Sequence, residues 1–118
     1  MRKVDCEIIN LMQTYHLPQL NKCKEMLRSA YSDQLVDLIL FGSVARHEDN
    51  QESDIDLLLL LKQPFDYWVE VRKTVDLLYP LQLESSQYIS VKPALYADYQ
   101  RERFNLYKNI KRDGISII

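Results

Sequence analysis

Hydrophobic residues follow two spacings along this chain, and each spacing predicts a different element. Val4, Ile8, Leu11 and Tyr15 recur every three or four residues, so residues 3–15 read as a helix. Pro18 biases the residue before it away from helical geometry and places a restart near His16 and Leu17. Leu20, Cys23, Leu27 and Ala30 then mark a second helix that ends near Tyr31. The run LVDLILF is mostly apolar without strict alternation, the pattern of a strand covered on both faces, and Gly42 stops it. A polar loop leads to DIDLLLLL, a second buried strand, closed by Lys62, Gln63 and Pro64. Trp68, Val71, Val75, Leu78 and Leu81 return to the helical period and predict a helix over residues 67–83. Ser85, Ser86 and Gln87 form a turn before YISVKPAL, a third strand whose far end Pro93 demotes to an edge or bulge. A last helix is expected over residues 98–112, with Phe104, Tyr107 and Ile110 on one side. Lys108, Lys111 and Arg112 suit its C-terminal dipole, Gly114 ends it, and ISII is read as a small final strand.

The first two strands are joined by about a dozen residues with no helical period, so they are expected as antiparallel neighbours. The fold class that follows is α/β (α+β): a small mixed sheet flanked by helices on one or both faces. No linker interrupts the pattern, and 118 residues suit one compact domain, so residues 1–118 read as a single unit.

Composition narrows the function classes. Apolar content of 47% and charged content of 27% describe an ordinary globular sequence. Fifteen basic against seventeen acidic residues leave a net charge of −2, which argues against nucleic acid as the main partner. The run Leu57 to Leu61 is far too short to cross a bilayer, and no signal peptide is read at the N-terminus. The expected setting is therefore cytoplasmic, with no membrane partner. Cys6 and Cys23 lack metal-ligand spacing and are read as free thiols.

Charge becomes informative at one place. Asp54 and Asp56 stand at the mouth of the second apolar strand, where isolated charge is costly to bury. Residues i and i+2 of a strand share a face, so the two carboxylates are expected together while Ile55 points into the core. Paired carboxylates repel unless a cation lies between them. An all-oxygen site favours Mg2+ or Mn2+ over zinc, with further ligands taken from phosphates. Gly42 lets the backbone approach a ligand, and exposed N–H groups with the Ser43 hydroxyl can hold phosphate. Arg46 lies three residues further on and can add charge to that cradle, or form a salt bridge to Glu48 or Asp54.

The stretch GSVARHEDNQESDIDLLLLL, with ten residues between Ser43 and Asp54, resembles the signature of the minimal nucleotidyltransferases. These belong to the DNA polymerase beta-like superfamily, and some are paired with HEPN proteins in toxin–antitoxin systems. The resemblance implies a palm-like fold, a nucleoside triphosphate and divalent ions. Carried over residue by residue, it implies Gly42, Ser43 and Arg46 as nucleotide-binding, and Asp54 and Asp56 as metal-binding and catalytic. His47 stands where the family commonly has glycine after that arginine; as a residue, it is read as exposed loop. The implied reaction moves AMP from ATP onto a hydroxyl of a protein, with a small helical HEPN-type partner as acceptor and the chain as antitoxin. A homo-oligomer is compatible with the same reading.

One departure bears on chemistry. Active members of the superfamily usually carry a third carboxylate on the next long strand. Here YISVKPAL offers Ser90 or Lys92 at the expected positions. Asp76 falls on the polar side of the helix and is read as a solvated residue, while Glu48 is a remote substitute. Two readings follow: an enzyme with an incomplete acid set, or a binding module that keeps the pocket and neutralises a partner by contact. Tyr96, Tyr99 and Tyr107 are expected to pack helices, and Arg101, Arg103, Lys108, Lys111 and Arg112 to form a solvated face.

Overall fold

The computed structural model describes residues 2–3, 17–42, 45 and 54–118. Its elements in chain order are β1 (Arg2–Lys3), α1 (Leu17–Tyr31), a 3-10 turn (Ser32–Gln34), β2 (Leu35–Phe41), β3 (Ile55–Leu61), α2 (Tyr67–Glu84), β4 (Ile89–Leu95), α3 (Tyr96–Gln100), α4 (Asn105–Asp113) and β5 (Ile115–Ser116). The five strands form one mixed sheet in the order β1-β5-β2-β3-β4. The pairs β2–β3 and β2–β5 are antiparallel; β3–β4 and β1–β5 are parallel. Parallel β3 and β4 need a crossover between them, and α2 supplies it. The helix expected over residues 3–15, Cys6, Ser43, Arg46, His47 and Glu48 lie outside the described residues, except that Lys3 belongs to β1.

The sheet is covered on both faces. Leu38, Leu40, Ile55, Leu57 and Leu59 pack against α1 and α2 through Leu20, Cys23, Leu27, Leu78 and Leu81. Ile39, Leu58, Leu60 and Ala94 pack on the opposite side against Tyr99, Tyr107 and Ile110 from α3 and α4. This is why β2 and β3 read as continuous apolar runs. Tyr99 and Tyr107 meet edge to face, ring centroids 5.7 Å apart, as expected for aromatics that fill a helix–sheet layer. Cys23 is a free, fully buried thiol, and burial pushes its pKa from an ordinary 9.0 up to about 12. Burial likewise raises Tyr99 from 10.0 to about 12, with the charge of Asp37 as the next cause.

The fold departs from the sequence expectations at two helices. In α2 the buried positions are Thr74, Leu78 and Leu81, while Trp68 and Val75 face solvent and Val71 is half-buried. Two stripes share one helical period here, so spacing alone merges them. The last helix is two: Arg101 to Phe104 separate α3 from α4, with Glu102 at φ 54 in the left-handed region. Asp98 fixes this corner. It accepts hydrogen bonds from Arg101 at 2.6 Å and Arg103 at 3.3 Å, and the Arg101 bond is the main cause holding its carboxyl below the ordinary 3.8. Phe104 is consequently exposed rather than on the packed face. Gly114 follows α4 with φ −73, so its role is space rather than handedness: a Cβ there would sit 2.5 Å from the Ile110 carbonyl oxygen and 2.7 Å from Ile39.

Two measurements check this account. Leu58→Ala and Leu81→Ala should each lower unfolding free energy by about 2–5 kcal/mol, whereas Lys108→Ala, at an exposed position of α4, should change it by less than about 0.5 kcal/mol. Urea denaturation of the three variants reads both. Alkaline pH gives the second check. From pH 9.0 to about 12 the unfolded Cys23 thiol releases its proton while the folded one keeps it. The unfolded state then binds fewer protons, so stability falls as pH rises through that window. Cys23→Ala should flatten the fall in urea midpoint just above pH 9.0.

Candidate active site

The candidate site grows out of the open end of β3. In the β2–β3 ladder, Phe41 stands opposite Asp56. Alternation along β3 puts Asp56, Leu58 and Leu60 on one face, the face that α3 and α4 cover further along. Asp56 is half-buried, and Asp54, one residue before the strand, is exposed. The Ile55 amide donates to the Tyr88 carbonyl at 2.9 Å, which ties the start of β3 to the approach to β4.

Gly42 is the first residue past β2, with φ +79. A side chain is excluded there twice over. The left-handed backbone disfavours one, and a Cβ would lie 2.5 Å from Asp56 Oδ2 and 3.4 Å from its carboxyl carbon. The turn backbone and the Asp56 carboxylate are therefore in direct apposition. Ala45, three residues on, is fully buried in the layer between the sheet and helices α1 and α2. It anchors the chain after the Gly42 turn to the core. Nothing in the residue pattern pointed to it: a lone alanine in a polar loop carries no periodic signal.

The third strand brings one further group. Asp56 is the register partner of Ser90 in the parallel β3–β4 ladder, and Leu58 is the partner of Lys92. Of the two residues expected at the third-acid position, Ser90 thus stands alongside Asp56. Lys92 lies one pleat away, and its Nζ donates to the Tyr67 hydroxyl at 3.2 Å and sits 5.1 Å from the centre of that ring. Asp76 is exposed on α2, 3.8 Å from Arg72. Among the described residues, no three Asp, Glu, His or Cys side chains gather as a metal-binding group.

Asp54, Asp56 and Ser90 offer only oxygen, and the Gly42 backbone lies directly against the Asp56 carboxylate. Those features fit a hard divalent cation such as Mg2+ or Mn2+ shared with a triphosphate. Two clefts border β4. One of about 260 Å3 runs between α2 and β4 past Ser90, Tyr88 and Val75; the other, about 470 Å3, lies beside Lys92, Tyr67, Phe104 and Tyr107.

Comparison with known proteins bears on the family and the fold. A family model described as a nucleotidyltransferase domain matches residues 20–116. A Methanocaldococcus jannaschii protein named "putative protein adenylyltransferase MJ0604" is 42% identical over 45 residues, which are 38% of this chain and 45% of that protein. The chain thus spans about half the length of that curated relative. Among solved structures, a "putative nucleotidyltransferase from Sulfolobus solfataricus" superposes with a TM-score of 0.54 at 19% identity, covering 85% of this chain and 77% of that one. A crystal structure of a toxin–antitoxin with AMP-PNP gives 0.50 at 18% identity, covering 80% and 69%. At those identities the two structures speak for the fold alone.

The turn itself can be probed by mutation. Gly42→Val should cut triphosphate affinity at least tenfold, about 1.4 kcal/mol, because the branched side chain collides with Asp56. Ala45→Leu should cost about 1–3 kcal/mol of stability through overpacking and weaken nucleotide binding by displacing the turn. Calorimetric titration with ATP, beside a urea melt, separates the two effects. Unchanged affinity in folded Gly42→Val would make the turn structural only.

Proposed function

Since this chain belongs to the nucleotidyltransferase domain family, we propose that it moves a nucleoside monophosphate, AMP from ATP, onto a hydroxyl of a protein partner. The observation that carries the proposal is the apposition of the Gly42 turn and the Asp56 carboxylate at the mouth of β3. In this reading the Gly42 backbone, the Ser43 hydroxyl and Arg46 hold the triphosphate. Asp54 and Asp56 hold Mg2+ or Mn2+ against it. A divalent cation in that place neutralises developing charge on the phosphates. The acceptor oxygen would bond to the α-phosphorus as its hydroxyl proton passes to solvent, the bridge to the β-phosphate would break, and pyrophosphate would leave. Catalysis on such a site is mainly positioning and charge neutralisation.

The matched adenylyltransferase name and the toxin–antitoxin fold relative support adenylyl transfer and a protein partner. A small helical HEPN-type toxin is the partner we propose, with this chain as antitoxin and residues 1–118 acting as one nucleotidyltransferase domain. No described helix is long and apolar enough to cross a membrane, and we place the protein in the cytoplasm on its composition.

A second reading is favoured by one specific observation. Ser90, not an acid, is the register partner of Asp56. A site with two carboxylates binds a nucleotide better than it turns one over, since a third carboxylate would help to position the acceptor and take its proton. The chain would then neutralise its partner by contact.

A single series of assays distinguishes these readings. Wild-type protein should bind ATP more tightly with Mg2+ or Mn2+, and Asp54→Asn with Asp56→Asn should abolish that increment while the fold persists. Equal metal-dependent binding in both would overturn the metal assignment. Transfer of labelled AMP to a co-purified partner at roughly one per second or more would establish the enzyme and exclude the contact-only reading. Slow transfer that Ser90→Asp accelerates would locate the deficit at the register partner of Asp56.

A further inference from the structure

Helix α2 has a second apolar stripe that its own core does not use. Trp68, Val75, Tyr79 and Leu83 are 74%, 52%, 56% and 70% exposed. With Arg72 they recur at i, i+4, i+7, i+11 and i+15, a continuous band along the helix beside the buried one. Tyr88 and Val69, also mostly exposed, border it. Such a band on a soluble domain marks a contact surface. We propose that it is the interface of a symmetric homodimer, formed by antiparallel packing of α2 against α2 of a second copy.

The occupant follows from the symmetry of the stripe. Trp68 and Leu83 are equidistant from the midpoint between Val75 and Asp76, and so are Arg72 and Tyr79. An antiparallel pair with its two-fold axis at that midpoint sets Trp68 against Leu83 of the second copy and Val75 beside the axis, opposite Asp76 of the second copy. It also sets Arg72 against the Tyr79 ring of the second copy, a cation–π contact. The same patch meeting itself is what a two-fold interface requires. Charge points the same way. Arg72 and Asp76 are 3.8 Å apart and cancel, so the band shows no net sign that would select an oppositely charged partner. Area is sufficient. With each aromatic contributing on the order of 200 Å2 when covered, the exposed fractions of Trp68, Tyr79 and Tyr88 plus the aliphatics offer roughly 600 Å2 per copy. Two copies bury roughly 1,200 Å2, the lower limit of specific stable interfaces. The helix is 18 residues long, about 27 Å at 1.5 Å per residue, enough to carry all of the pairs.

Trp68 is the only tryptophan in the chain, so it reports the interface directly. The mass of the full chain should rise from monomer to dimer between low and high micromolar concentration in light scattering. Trp68 emission should shift to the blue over the same range. Val75→Glu, which would face Asp76 of the second copy, and Leu83→Lys should each raise the dissociation constant at least tenfold and leave far-ultraviolet circular dichroism unchanged, because both positions are exposed in the monomer. A monomer at every concentration overturns the proposal. If its Trp68 emission is blue throughout, the chain's own segment covers the stripe; if red, the face is open or serves another protein. A dimer that survives both substitutions uses a different face and equally overturns it.

Discussion

The structure depends on the burial of β3 from both sides. Leu57 to Leu61 are almost fully enclosed, between α1 and α2 on one face and α3 and α4 on the other. Within such a strand a carboxylate has no solvent and no partner, and its desolvation would outweigh any local gain. Charge is tolerable only where the strand emerges, and Asp54 and Asp56 stand there. The same burial sets register. A slip of one residue would turn Asp56 into the layer of α1 and α2 and every outward leucine with it. The face on which Asp56 lies is thus specified by the leucines behind it.

Central placement in β2-β3-β4 then assembles the rest. The antiparallel neighbour contributes its exit turn, and the parallel neighbour contributes Ser90. Gly42 comes close enough to Asp56 that a single added carbon would collide. The turn is held from behind by Ala45, which belongs to the core rather than to the site. Precision at the mouth of the sheet therefore comes from packing: a rigid strand, a turn pinned at both ends, and a ladder that admits one register.

The parts legible in the sequence are those where one physical demand acts on several residues at once. Leucine runs announced β2 and β3, since nothing but double-sided burial calls for them. The approach of Gly42 to Asp56 was legible by residue type and spacing. The face of α2 was not, because Trp68 and Val75 keep the same period as Leu78 and Leu81 while belonging to another surface. The break after α3 was hidden as well. It is set by Asp98 gathering Arg101 and Arg103, a three-residue arrangement that periodicity does not register. The pairings of β1 with β5 and of β5 with β2 span two residues each, too few to show alternation. Ser90 over Lys92 needed the ladder itself, since both share a face by spacing.

That choice of serine has a physical consequence for the site as a whole. A carboxylate at position 90 would stand beside Asp56 across a parallel ladder, within reach of like-charge repulsion. Without a bound cation, such a cluster destabilises the fold that carries it. Serine removes that repulsion and keeps an oxygen that can donate or accept. The cost falls on the chemistry. A hydroxyl with an ordinary alcohol's acidity neither accepts the acceptor's proton nor adds negative charge toward a second cation. On the proposed reading, a serine there would favour nucleotide binding over turnover. In the proposed reaction, binding and turnover would make separate demands on this strand end, and the leucine core, which sets the face of Asp56, supplies no proton acceptor.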